Sequence, residues 1–351
     1  MEHVDVAVIG GGQSGLAAAH ALRRLGLQPV VLEASEQAAG SWPRYYDSLT
    51  LFSPARYSCL PGLPFGGDPD RYPHRDEVVA YLLRCADRLD AEIRTRTRVH
   101  DVRLEDGAFA LGLEGGGRLA ARAVIAATGT FGRPHRPDVP GLETYTGTLL
   151  HAADYRAPEP FDGQRIVVVG AGNSAVQIAA ELGGRAQVTL AARHPVRFAR
   201  QLTLGRDLHW WLARTGLDTL PVGRFLSTPP TQMVIDDGLY RAAVASGRPD
   251  RRPVFTGIGG TKVTWADGST EEVDAIVLAT GYRPNLGYVT PLGALTATGH
   301  PRHREGMSLT HPGLAYVGLE WQRSLSSNSL RGVGRDAARA ARHIAAHLSR
   351  A

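Results

Sequence analysis

Two stretches of the chain repeat one alternation of apolar and polar positions. Val4 to Ile9 reads as a buried strand, a turn of small residues follows, and Leu16 to Arg24 carries apolar positions at helical spacing. From Arg165 the plan recurs: an apolar run ends at Val168-Val169, and Val176 to Leu182 takes the place of the helix. Between them lie an irregular stretch rich in Gly, Pro, Ser and aromatics, Gly40 to Tyr72, and an amphipathic helix expected over Asp76 to Leu89. From Val99 to Gly129 short alternating runs are broken by Glu105-Asp106-Gly107 and Gly115-Gly116-Gly117, which predicts an antiparallel meander ending in the buried strand Ala123 to Ala126. A second meander around Thr261 to Glu272 leads into Ala275 to Leu278. The remainder beyond Tyr282 is too short for a third unit; it is expected to return to the first and to finish in a helix over Arg335 to Ser349.

Each strand-to-helix turn is a glycine fingerprint, Gly10-Gly11-Gly12-Gln13-Ser14-Gly15 in the first unit and Gly170-Ala171-Gly172-Asn173-Ser174-Ala175 in the second. Such turns let backbone approach a pyrophosphate and let the helix pack closely on its strand, while the helix N-terminus aims unpaired N–H groups at the phosphates. Glu33 stands 23 positions after Gly10, and Arg193 stands 23 positions after Gly170. At that place a carboxylate accepts hydrogen bonds from a free ribose diol, whereas a guanidinium attracts a 2′-phosphate. The first site therefore suits FAD or NAD and the second NADPH, with NADH tolerated. Each unit also ends in an Ala-Thr-Gly turn, Ala127-Thr128-Gly129 and Ala279-Thr280-Gly281, whose small residues suit either a bound dinucleotide or a tight strand exit.

The fold class that follows is α/β, with two nested Rossmann-like dinucleotide-binding domains of the glutathione-reductase-like kind. Pro- and Gly-rich linkers at Gly132 to Gly141 and Pro158 to Gly163 mark the passage between them. The FAD-binding domain is assigned to 1–158 and 284–351, and the NADPH-binding domain to 159–283 with a helical insertion near 200–255.

A chain of 351 residues, 43% apolar, can bury two such cores. The N-terminus enters a strand at once and no apolar run is long enough to cross a bilayer, so a cytoplasmic location is expected. Cys59 and Cys85 are the only cysteines, 26 positions apart, which leaves no CxxC redox pair or metal knuckle. The net charge of +5 is spread over dispersed arginines, which argues against nucleic acid as a partner and for a solvated surface with a few phosphate-facing groups.

With these features, the chain resembles the flavin-containing monooxygenases, particularly small bacterial and YUCCA-like members. The stretch Tyr145-Thr146-Gly147-Thr148-Leu149-Leu150-His151-Ala152-Ala153-Asp154-Tyr155 fits the family pattern F-x-G-x3-H-x3-[F/Y], with Tyr145 in place of Phe. Gly40-Ser41-Trp42, Phe52-Ser53-Pro54, Ala279-Thr280-Gly281-Tyr282 and Gly332-Val333-Gly334-Arg335-Asp336 extend the likeness. One departure stands out: many members carry an Asn close to the flavin where Phe52 to Ser58 has none.

The resemblance implies FAD along Gly10, Gly12, Ser14, Gly15, Glu33, Ser41, Trp42, Val99, Ala127, Thr128 and Gly129. It implies NADPH along Gly170, Gly172, Asn173, Ser174, Ala175, Arg193, His194, Ala279, Thr280 and Gly281. Phe52 would shield the flavin, and His151 would act as an acid–base group or fix a turn. Ser326 to Arg331 would aim N–H groups at the flavin or simply cap the last helix. The implied reaction is NADPH- and O2-dependent oxygenation of a soft nucleophile, a sulfide or amine, through a flavin C4a-(hydro)peroxide. A flavin-dependent NAD(P)H reductase or oxidase would use the same two domains. A nucleotide-binding redox sensor is a third reading. A homodimer is the default assembly. The aromatic stretch Arg206 to Leu212 could form a substrate rim or contact a membrane surface, but burial in the core is the commoner fate of such a cluster and it is not assigned to the site.

Overall fold

The computed structural model describes residues 1–226, 230 and 233–350. The strand Glu2–Ile9 lies between Pro29–Leu32 and Arg118–Ala126, and all three run parallel. Glu92–Arg94 extends this sheet beyond Pro29–Leu32, and Leu314–Tyr316 extends it beyond Arg118–Ala126, again in parallel. Leu314–Tyr316 thus joins the first sheet.

Alternation along the central strand divides the core in two. Val6 and Val8 pack under the helices Gln13–Arg23 and Val333–Leu348, while Ala7 and Ile9 face the meander Val99–Glu105, Ala108–Leu113, Arg118–Ala126. The two helices meet through small residues, Ala17, Ala18 and Ala21 against Ala337, Ala340 and Ala341, which brings their backbones close.

The second sheet runs Asp250–Pro253, Gln187–Ala192, Arg165–Val169, Ala275–Leu278, Thr148–His151, wholly parallel. The helix Asn173–Leu182 covers one face. The three-stranded antiparallel sheet Gly257–Gly259, Lys262–Thr264, Thr270–Glu272 belongs to the other, where Phe255, Trp265 and Val273 pack.

A domain boundary at 158/159 falls one strand too late, because Thr148–His151 pairs along Ala275–Leu278 and is the edge of the second sheet. The segment near 200–255 is not purely helical. It holds a hairpin, Leu202–Thr203 with Arg206–Asp207, the helices Leu208–Thr215 and Leu239–Ala245, and the strand Asp250–Pro253. Residues 227–229, 231 and 232 of that segment lie outside the described residues. Trp210 and Trp211 are half-buried and meet edge to face at 4.7 Å.

Two crossover segments join the domains and pair with each other. His135 N–H donates to Gly281 O at 2.9 Å, Arg283 N–H to Arg133 O at 2.9 Å, and Asn285 N–H to Gly129 O at 3.0 Å. Among the described residues no helix is long and apolar enough to cross a membrane.

Candidate active site

A single cleft of about 2470 Å³ runs between the domains and touches both fingerprints. A pocket for one small molecule spans roughly 300–1,000 Å³, so this cleft has room for more than one ligand.

On the first side, Gly10 has φ +106° and a side chain there would meet Ala127 O at 2.7 Å, so the Ala-Thr-Gly turn presses directly on the fingerprint. The helix Gln13–Arg23 opens at Gly12 with no side-chain cap and no acidic residue in its first turn, which leaves its N–H groups to an anion. Glu33 is buried and clamped: Oε2 accepts from Gly11 N–H at 2.6 Å, and Oε1 accepts from the N–H and hydroxyl of Ser35, each at 2.7 Å. Its remaining lone pairs suit a ribose diol. Trp42 Nε1–H donates to Gln13 Oε1 at 2.6 Å, and Gln13 Nε2 donates to Asn328 O at 2.7 Å, so three distant segments lock the floor of this side.

The second side repeats the plan. Gly170, at φ +150°, sits against Ala279 O, and the helix Asn173–Leu182 opens at Gly172 with no side-chain cap. A side chain at Gly172 would meet nothing within 4 Å, so the turn faces open cleft. Arg193 and His194 are exposed at its wall. Arg193 makes no hydrogen bond or ion pair with any described residue, the state expected of a cation that waits for a phosphate.

Every cofactor residue read from the sequence lines the cleft except Gly15. A side chain at Gly15 would lie 1.7 Å from Gly10 O, so this glycine packs helix on strand and touches no ligand space. Asn173 lines the cleft, but its side chain is committed to Met233 O and Ile235 N–H. Thr128 and Thr280 also lie there, yet their hydroxyls donate to the opposite crossover segment, Thr128 to Asn285 O at 2.6 Å and Thr280 to His135 O.

His151 departs from an acid–base role. It is fully buried, Nδ1 accepts from Ala153 N–H at 3.1 Å, and Nε2 faces Gly281 O at 3.1 Å. An acceptor at Nδ1 fixes the neutral tautomer with its proton on Nε2, donated to Gly281 O. Burial holds its pKa below the ordinary histidine value. Neither nitrogen is left for a reactant, and the ring serves to fix the Gly281 turn.

Phe52 is 41% exposed at the cleft and its ring lies nearly parallel to that of His209, centroids 6.0 Å apart. Beside them an aromatic series bridges the domains: Trp42 to Tyr45 at 5.4 Å, Tyr45 to Phe131 at 4.6 Å, Phe131 to Tyr282 at 5.2 Å, and Tyr282 to His151 at 5.0 Å. Tyr45 and Phe131 have no local pattern that marks them. His209 belongs to the aromatic stretch Arg206 to Leu212 that was left out of the site, yet Leu208, His209 and Leu212 line the cleft. Tyr282 follows directly on the second Ala-Thr-Gly turn, and that adjacency was its signal. Arg331, within the stretch read as a flavin-facing turn or helix cap, lines the cleft in an ion pair with the buried Asp218.

Residues 7–214 match the pyridine nucleotide-disulphide oxidoreductase family. A CzcO-like oxidoreductase from Geobacillus kaustophilus is 31% identical over 344 residues, 96% of this chain and 97% of its own. Indole-3-pyruvate monooxygenase YUCCA1 of Oryza sativa is 31% identical over 312 residues, covering 80% of this chain and 77% of its own. The structure of a flavin-containing monooxygenase from Stenotrophomonas maltophilia superposes with a TM-score of 0.87 at 34% identity, covering 99% of both chains.

Proposed function

Because the chain belongs to the pyridine nucleotide-disulphide oxidoreductase family and, within it, to the flavin-containing monooxygenases, we propose that it oxygenates a soft nucleophile, a sulfide or an amine. It is a flavin-dependent enzyme that uses FAD and NADPH, with O2 and a small molecule as the other reactants. The observation that carries the proposal is the one cleft onto which both fingerprints open, with a clamped Glu33 at one wall and, at the other, an Arg193 that has no polar partner among the described residues. Two redox cofactors held in one cleft can exchange electrons beside a third molecule.

In this reading the bound flavin supplies hydride acceptance and, once reduced, oxygen activation. The chain's own residues bind, orient and exclude water. Gly12 and Gly172 leave helix N-termini open to the two pyrophosphates, Glu33 takes the FAD ribose, and Arg193, with His194 beside it, takes the 2′-phosphate of NADPH. Trp42 and Tyr45 give the reacting end an apolar wall, which keeps water from a reactive oxygen species. Neither cysteine lines the cleft, which weighs against reduction of a disulfide there.

The test is to reduce the enzyme anaerobically with NADPH, mix it with oxygenated buffer and thioanisole, and follow the flavin spectrum. A transient adduct followed by one sulfoxide per NADPH is expected. Immediate return to oxidised flavin with stoichiometric hydrogen peroxide would assign the chain to NAD(P)H oxidases, and FAD that NADPH fails to reduce would make it a sensor.

A further inference from the structure

The insertion carries a polar network that neither dinucleotide site uses. Asp207 caps the helix Leu208–Thr215, its Oδ1 accepting His209 N–H at 2.7 Å, and the same oxygen lies 2.9 Å from His209 Nδ1. Its other oxygen accepts from the Tyr72 hydroxyl at 2.7 Å and from Gln201 Nε2. Burial pushes the Asp207 pKa up, but the bonds from His209, Tyr72 and Gln201 outweigh it and hold the carboxyl below its ordinary value. An ionised carboxylate only accepts, so Nδ1 of His209 carries a proton, and in the neutral ring Nε2 presents a lone pair. That nitrogen has no partner among the described residues.

The surroundings set this ring beside a ligand space. His209 is only 8% exposed, yet it lines the cleft together with Phe52, Tyr57, Leu208 and Leu212. Its ring lies nearly parallel to those of Phe52 and Tyr57, centroids 6.0 Å and 6.4 Å away. Gln201, buried, donates both to Asp207 and to Phe52 O, the latter at 2.9 Å, so one side chain fixes the dyad and the aromatic wall together. A simple helix cap needs only the Asp207 carboxylate and the His209 N–H. The oriented imidazole, the tyrosine and the glutamine are additional.

We propose that Phe52, Tyr57, Leu208 and Leu212 form a substrate subsite for a flat, uncharged aromatic sulfide or amine, in which His209 Nε2 handles the proton of the oxygenation and Asp207 positions it. The inference rests on the monooxygenase reading given above. For a sulfide the net change is sulfide + O2 + NADPH + H⁺ → sulfoxide + NADP⁺ + water. Sulfur gives up two electrons and gains an S–O bond, NADPH supplies the other two electrons, and the O–O bond breaks with one oxygen leaving as water. Transfer of a hydroxyl to sulfur leaves an S–OH cation. His209 Nε2 accepts that proton and passes it to the oxygen that departs as water.

The probe is thioanisole, used with the FAD-loaded enzyme. His209→Gln is expected to lower the rate of sulfoxide formation about 100-fold and to divert NADPH electrons to hydrogen peroxide. Asp207→Asn should give a smaller fall. In wild-type protein labelled with 15N-histidine, the His209 signals should show the Nδ1-protonated form and its Nε2 resonance should move on addition of thioanisole; Asp207→Asn should abolish that tautomer preference. Sulfoxide formation by His209→Gln at the wild-type rate, or an Nε2 resonance indifferent to saturating thioanisole, would overturn the subsite. Wild-type enzyme that oxidises neither sulfides nor amines while the Nε2 resonance still responds would overturn the monooxygenase reading instead and leave the binding subsite supported.

Discussion

Glu33 and Arg193 occupy matching places after their fingerprints but are held in opposite ways. Glu33 spends lone pairs on Gly11 and Ser35 and is buried, so its carboxylate is oriented before any ligand arrives. Arg193 is exposed with no hydrogen bond or ion pair to a described residue, so its charge is free for a phosphate. A charge-assisted hydrogen bond contributes about 1.5–3 kcal/mol, or roughly 10- to 100-fold in affinity. Arg193→Gln should therefore raise the KM for NADPH by about that factor and leave the KM for NADH within roughly threefold. Steady-state kinetics with both coenzymes would decide it, and an unchanged preference would hand the reading of the phosphate to His194 or to Arg197, which also lines the cleft. The place of Arg193 on the cleft wall was legible because spacing after a fingerprint is a local property of the chain. His209 was not: its partners Phe52 and Tyr72 lie more than a hundred positions away, and no periodicity encodes a ring packed against a ring across two domains.

At the scale of elements, the same glycine spacing does two separable jobs. Gly15 holds the helix on its strand, since a side chain there would lie 1.7 Å from Gly10 O, whereas Gly172 borders open cleft. Gly15→Ala should force the helix off the sheet, cost about 1–3 kcal/mol and lower flavin content, read by thermal unfolding and by FAD absorbance after purification. Gly172→Ala should keep flavin content and stability within about 0.5 kcal/mol, yet raise the KM for NADPH because the added methyl stands in the path of the pyrophosphate. Equal loss of stability in both variants would contradict this division. The strands, both meanders and the last helix were readable from their alternation, because each buries one face locally. The boundary at 158/159 leaves Thr148–His151 on the wrong side for the converse reason: its partner Ala275–Leu278 comes 127 positions later, and a four-residue edge strand says nothing of which sheet it joins.

For the whole molecule, the joint between the domains is a built object in which Thr128 and Thr280 each reach across to the other crossover segment. His135 and His151 sit at this joint, and burial lowers the pKa of both; His135 is further lowered by Arg283 and Arg193. His20 and His303 are lowered by burial as well. For each of these groups the folded state disfavours the proton, so below the unfolded value of about 6.5 the unfolded chain binds more protons than the folded one. Their contribution to stability is therefore complete above about pH 6.5 and is lost as pH falls toward the folded values. Carboxylates held low, such as Glu77 and Glu271, titrate beneath that window and add to the loss only in stronger acid. The midpoint of thermal unfolding should thus be level from about pH 8 to 7 and decline between about pH 6.5 and 5. His151→Asn should unfold at a lower temperature at pH 8, because the bonds to Ala153 and Gly281 are disturbed, and should decline less steeply across the acid window. A wild-type midpoint that stays flat down to pH 5 would mean that these histidines accept protons in place, and that the joint is looser in solution than its hydrogen bonds imply.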